Sequence, residues 1–213
     1  MARSPSFAGL LLAAGASSRM GRDKALLDWQ GKTFLRAAID SLAPHCELVI
    51  VVAGSNVEDL QPVVYSVGAF LIVNQHPERG QFSSLQLGLQ EVLNRGRDAA
   101  IVTLVDRPPT ARNTIQDLRD YFCEVCVKGR WAVIPEFEGK HGHPIVIGRE
   151  MIEAFLRAPD SATAREIEHA NQERIDYLAV GDPHVTLNVD TPEQYADLSP
   201  TPSRPKSGRV EDS

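Results

Sequence analysis

Short runs of aliphatic and β-branched residues alternate along this chain with longer segments in which apolar positions recur every three or four residues. Such alternation predicts an α/β fold with a largely parallel sheet, since strands paired in parallel are joined by crossover helices. The apolar runs predict strands at 7–13, 47–52, 70–73, 99–105, 131–135, 144–147 and 174–180. Helical spacing predicts helices over 33–42, 84–93, 115–127, 150–156, 162–169 and 192–198. Phe34, Ala37, Ala38 and Ile39 share a stripe in the first helix; in the second, Leu85, Leu89 and Leu93 recur every four residues, with Ser83 or Ser84 as cap. Each strand after Ala99 reads as followed by a turn and a helix.

Composition adds bounds. A chain of 213 residues that is 43% hydrophobic and 23% charged builds one sizeable core. Residues 1–198 are therefore expected to form a single domain. Residues 199–213, rich in proline and serine with one apolar residue, Val210, are expected to be a disordered tail. No apolar run approaches the roughly 18 residues of a membrane span, and the N-terminal stretch is broken by Gly15 and Arg19. Three cysteines, Cys46, Cys123 and Cys126, are odd in number and too few for a disulfide framework. A cytoplasmic address, with no membrane partner, is the expectation. A net charge of -6 gives no whole-molecule attraction to nucleic acid, so any phosphate ligand needs a local site.

The most informative stretch runs from Leu10 to Lys24, where an apolar strand opens into Ala13-Ala14-Gly15-Ala16-Ser17-Ser18. Small residues let backbone N–H groups approach an anion, and Arg19 and Lys24 add two cations that can reach one polyphosphate. The pattern is neither a P-loop, because Ala25 follows Lys24, nor a dinucleotide fingerprint. A plain connecting loop with two solvated cations remains the alternative on these residues alone. Asp106 stands at the end of another apolar strand, before Pro108 and Pro109. Ligands of open α/β sheets bind outside the carboxyl ends of the strands, so Asp106 and the first loop can share a crevice. Asp190 precedes a helix whose first position is Pro192. Two carboxylates beside a triphosphate are hard oxygen ligands suited to Mg²⁺, though either one alone reads more readily as a turn or cap aspartate. The turn from Arg79 into Ser83-Ser84-Leu85 offers helix N-terminal N–H groups and two hydroxyls to a base or a phosphate, or a simple cap. Cys123 and Cys126 read as small core residues at helical spacing rather than a metal or redox pair. His141 and His143 likewise read as loop or substrate-facing residues.

The segment L-A-A-G-x-S-x-R-M-G-x-x-K resembles the signature loop of the MobA-like nucleotidyltransferases, in the form of the molybdenum cofactor cytidylyltransferase branch. The resemblance extends in ordered motifs from Leu10 to about Tyr195. It implies a three-layer α/β nucleotidyltransferase domain of GT-A/Rossmann-like type, whose mainly parallel mixed sheet has antiparallel strands near Pro144. It implies that Leu12, Ala13, Ala14 and Gly15 lie near base and ribose. Arg19 and Lys24 would bind phosphates and act in catalysis with the metal-binding Asp106 and Asp190. Asn188 and Gln194 stand where many relatives carry acids. The Ser83, Ser84 and Leu85 segment is similar to the cytidylyl branch and tilts the nucleotide toward CTP, with GTP left open. Gly142-His143-Pro144 and Arg165 resemble acceptor-side segments, with Thr163 replacing a glycine common in relatives. The implied reaction is cytidylyl transfer from CTP to molybdenum-molybdopterin with release of pyrophosphate and Mg²⁺ as cofactor; a molybdoenzyme receiving the product is the further partner. Transfer to a sugar or methylerythritol phosphate, and a non-catalytic cofactor carrier, are the rival readings.

Overall fold

The computed structural model describes residues 4–15 and 23–198. The loop stretch 16–22, which includes Arg19, and the tail 199–213 lie outside the described residues. Strands β1 (Phe7–Leu12), β4 (Leu48–Ala53), β5 (Phe70–Val73), β6 (Ala99–Leu104), β7 (Ala132–Phe137), β9 (Ile145–Gly148) and β10 (Ile175–Ala179) form one sheet in the order β10-β7-β9-β6-β1-β4-β5. The two-residue β8 (Lys140–His141) hangs from β7, and β2 (Asp28–Trp29) with β3 (Lys32–Thr33) makes a separate hairpin. β1 pairs in parallel with both β4 and β6, as β4 does with β5 and β10 with β7. β9 runs antiparallel to both β6 and β7.

Each central strand is apolar on both sides because helices cover both faces. Phe7 and Leu11 of β1, with Val49, Val51 and Ile101, face α1 (Phe34–Leu42), α2 (Val57–Ser66) and α4 (Arg112–Cys126). Leu10, Ile50, Val52 and Val102 face α3 (Gln81–Asn94) and α5 (Arg149–Arg157), with Ile167 of α6 (Ala164–Ala170) at the margin. Thr33 caps α1 by accepting the Arg36 N–H at 3.1 Å. Cys123 and Cys126 pack half-buried against the first face, and burial pushes the Cys46 thiol up to about 12.

Three expectations are corrected. No helix follows β7, because too few residues separate it from β9 for a crossover, so the chain turns through β8 and β9 returns antiparallel. The second expected helix starts earlier, at Gln81, and its cap is neither Ser83 nor Ser84 but Gly80, whose φ of 92° suits glycine. Between β4 and β5 lies α2, where no helix was assigned; it carries Pro62 in its interior and is held by buried Leu60 and Val64, one turn apart.

Candidate active site

The site forms where β1 and β6 end side by side. The Val105 N–H donates to the Leu12 carbonyl at 3.0 Å, which prolongs the ladder up to Asp106. Asp190 is far away in sequence, yet the Val189 N–H donates to the Asp106 carbonyl at 2.8 Å and ties the two acidic segments together. The turn at Asp190 is set by α7 (Pro192–Leu198): the Gln194 side chain accepts from the Asp190 and Thr191 N–H groups at 2.7 and 3.1 Å, and the Thr191 hydroxyl accepts from the Gln194 N–H at 3.4 Å. This reciprocal cap gives Gln194 a structural reason of its own. Asn188 is exposed.

Lys24 opens a short 3-10 turn (Lys24–Leu26) capped by Asp23. Its Nζ lies 2.7 Å from Asp190 Oδ1 and 4.0 Å from Asp106 Oδ2, so one cation spans both carboxylates. Burial raises the pKa of Asp106; Lys24 and Arg107 counter that, and the Asp190 charge adds to it. Asp106 Oδ1 is buried without a hydrogen-bond partner among the described residues. An orphaned oxygen beside a second carboxylate fits a hard divalent cation that takes one or two carboxylates and completes its shell with phosphate oxygens.

Two cavities adjoin at this point and share Leu12, Gly80, Gln81 and Leu104. The smaller, about 140 Å³, is lined by Ala14, Gly15, Lys24, Gln81, Ser84 and Asp106. The larger, about 610 Å³, is lined by Phe82, Leu85, His143, Ile145, Arg165 and Glu168 among others. Of the expected nucleotide-binding residues, Leu12, Ala14, Gly15, Lys24 and Ser84 meet at the smaller cavity. Ala13 instead packs into the core, with its N–H donated to Val52 and its carbonyl accepting from Asn56. Leu85 faces the larger cavity, while the Ser83 hydroxyl donates to the Gly80 carbonyl and accepts from Asn74. The expected acceptor-side pair, His143 and Arg165, both line the larger cavity. Thr163, in the place of a glycine, caps α6 in a reciprocal capping box with Glu166.

His143 is held by backbone. Its N–H donates to the Val185 carbonyl at 2.8 Å, and the preceding Gly142 N–H donates to Pro135 at 2.9 Å. A side chain on Gly142 would run into Val185, so only glycine permits this approach. Burial, helped by the Arg107 charge, lowers His143 to about 3, so its ring is neutral at physiological pH.

Sequence reasoning missed Asn56 and Glu168. The Asn56 Nδ2 donates to the Ala13 carbonyl at 2.9 Å and to Asp23 Oδ2 at 2.5 Å, and its Oδ1 accepts the Gly54 N–H at 3.0 Å. One amide thus clamps the two described ends of the glycine-rich loop. Nothing in the local sequence announces this, because the partners lie more than thirty residues away.

A family model described as the MobA-like NTP transferase domain matches residues 9–175. The molybdenum cofactor cytidylyltransferase of Escherichia coli (strain K12) is 24% identical over 191 residues, covering 87% of this chain and 92% of that one. A probable molybdenum cofactor guanylyltransferase of Bacillus cereus (strain ATCC 10987 / NRS 248) is also 24% identical, over 198 residues, covering 89% and 94%. Among solved structures, Rv0371c from Mycobacterium tuberculosis H37Rv superposes with a TM-score of 0.78 at 25% identity, covering 92% of this chain and 98% of that one. The complex of Rv0371c with manganese gives 0.73 at 23% identity, covering 91% and 97%. With its three-layer fold and its carboxylates and lysine gathered at the strand ends, the chain belongs to the MobA-like NTP transferase family of nucleotidyltransferases.

Proposed function

We propose that this protein transfers a cytidylyl group from CTP to the terminal phosphate of a molybdopterin-type acceptor carrying molybdenum, releasing pyrophosphate. The observation that carries the reading is the meeting of Lys24 and Asp106 at the smaller of two adjoining cavities, with Asp190 Oδ1 2.7 Å from Lys24 Nζ. One cavity suits a nucleotide and the other an acceptor, so a phosphate entering from the second reaches an α-phosphorus held in the first. Asp106 and Asp190 would hold a divalent cation, Mg²⁺ in this proposal, which supplies charge neutralisation to the phosphates. Lys24 neutralises charge that grows on the departing pyrophosphate, with Arg19 assigned the same task by family resemblance. No side-chain base is required, because a phosphate nucleophile is already ionised at neutral pH. His143 and Arg165 orient the acceptor, which makes the reaction chiefly one of positioning.

Preference for CTP is supported by Ala14 before Gly15 and by Ser84, whose buried hydroxyl accepts from Asn74 at 2.9 Å beside the cavity. Competition kinetics with CTP, GTP, Mg²⁺ and molybdopterin, followed by pyrophosphate release, test it. The expected result is a specificity constant for CTP about 10²-fold above that for GTP. Equal constants refute the cytidylyl assignment. Faster turnover with a sugar or methylerythritol phosphate refutes the acceptor, and tight pterin binding without pyrophosphate release identifies a carrier.

A further inference from the structure

The larger cavity has an apolar floor of Leu12, Phe82, Leu85 and Ile145, yet it admits four charged side chains. Arg79 and Asp160 form an ion pair with each other across its rim. Arg165 and Glu168 have no ion pair among the described residues, although they stand three positions apart on one face of α6. Burial raises the Glu168 pKa, with the Arg165 charge only partly opposing it. The half-buried Glu168 carboxylate stands on the wall of this cavity with no side-chain hydrogen bond or ion pair among the described residues, which leaves its oxygens to accept from a ligand there.

We propose that Glu168 is the acceptor-specificity residue, its carboxylate accepting paired hydrogen bonds from a ring N–H and an adjacent exocyclic amine of a flat heterocycle. The inference rests on the functional reading above and deepens it. Arg165, one turn away, meets the anionic part of the same acceptor, and the apolar floor takes the ring face. Two parallel N–H···O bonds to one carboxylate mirror a bidentate guanidinium pair and fix the ring in its plane. A ring with a carbonyl in place of the amine would set oxygen against oxygen.

The test uses pterin and lumazine, which differ by an amine or a carbonyl at one ring carbon, and follows quenching of their fluorescence by the full-length protein. Wild type is expected to bind pterin about 10- to 100-fold more tightly than lumazine, as for loss of a hydrogen bond to a charged group. Glu168→Gln and Glu168→Ala should bring the two ligands within a factor of about two of each other, since the charged acceptor is gone. Both should keep wild-type CTP affinity, and Glu168→Gln should match or exceed the wild-type Tm. A wild type indifferent to the amine, or a Glu168→Gln that keeps the preference, overturns the inference. So does a Glu168→Gln that loses Tm and CTP affinity together, because the residue is then structural. Wild type that binds CTP with Mg²⁺ but not pterin overturns the acceptor assignment and leaves nucleotidyl transfer standing. Wild type that binds neither CTP nor GTP overturns the functional reading itself.

Discussion

A single methyl group at Gly142 tests the placement of the whole acceptor-side loop. A Cβ there would stand 2.0 Å from the Val185 carbonyl oxygen, 2.5 Å from its carbonyl carbon and 3.1 Å from its Cβ. The two nearest of these atoms are backbone, so no flexible tip can swing aside, and the contact must open by about 1 Å to reach 3.0 Å, below which real Cβ atoms essentially never sit. The same carbonyl accepts from the His143 N–H at 2.8 Å and from Arg107 Nη1 at 3.1 Å. Displacing it weakens two bonds of about 1 kcal/mol each, on top of about 1–3 kcal/mol for overpacking. Gly142→Ala should therefore cost about 3–5 kcal/mol and lower Tm by about 6–20 °C in a chain of this size. Gly181→Ala is the control, because a Cβ there meets nothing within 4 Å and φ is not left-handed; its stability should hold or rise by up to about 1 kcal/mol. Scanning calorimetry of both variants at neutral pH reads the difference, and the acceptor KM of Gly142→Ala should rise as His143 shifts. A Gly142→Ala protein melting within about 2 °C of wild type would show that the loop is not wedged against Val185.

Three further outcomes are expected. Lys24→Met should lower turnover by about 10²–10³-fold, yet tighten Mn²⁺ binding by the nucleotide-free protein, since a cation 2.7 Å from Asp190 is removed; weaker Mn²⁺ binding by calorimetry would refute the shared site. His143 sits at about 3 against an ordinary value of 6.5, so between those values the unfolded chain holds a proton that the folded chain lacks. Its stabilising contribution is complete above about 6.5 and lost as pH falls toward 3, by up to about 2 kcal/mol at pH ~5; urea unfolding of wild type and His143→Asn should show the variant flatter over this range, and identical slopes would refute the assignment. Asn56→Ala should raise the nucleotide KM more than it lowers kcat, because the clamp sets loop position rather than chemistry; an unchanged KM would mean the loop holds itself.

The features legible in the sequence were those carried by local pattern. The apolar runs around Phe7, Val49 and Ile101 marked the central strands because burial on both faces leaves no polar position to blur them. Lys24, Asp106 and Asp190 were identifiable one by one from a glycine-rich turn, a strand end and a helix start. What no window of sequence contains is the Val189 N–H on the Asp106 carbonyl, the bond that converts separate residues into a site. α2 escaped because Pro62 argues against a helix locally, while Leu60 and Val64 gain their burial only from a sheet built elsewhere. The start of α3 was misplaced because two serines resemble caps, whereas the positive φ that makes Gly80 the boundary is a property of the fold. Glu168 escaped for a similar reason: on its own helix it is one of several acids, and only the cavity distinguishes it.

The position of Lys24 also bears on how an acidic protein admits a polyanion. Asp106 and Asp190 face a lysine and a neighbouring arginine, so without a divalent ion the local charges of Lys24, Arg107 and the two carboxylates cancel. These four described side chains, on a chain of net charge -6, add no net attraction for a free triphosphate. In the proposed reaction Asp106 and Asp190 would hold a divalent ion, whose charge would leave these four side chains net positive. Lys24, then no longer needed between two acids, would become available to the phosphates. On that proposal its ion pair with Asp190 would be a resting arrangement that offsets the buried charge of Asp106 until substrate arrives. The nucleotide should accordingly bind as its metal complex, and its affinity should fall steeply when the divalent ion is withdrawn, a dependence that Asp106→Asn would blunt by leaving Lys24 and Arg107 in excess.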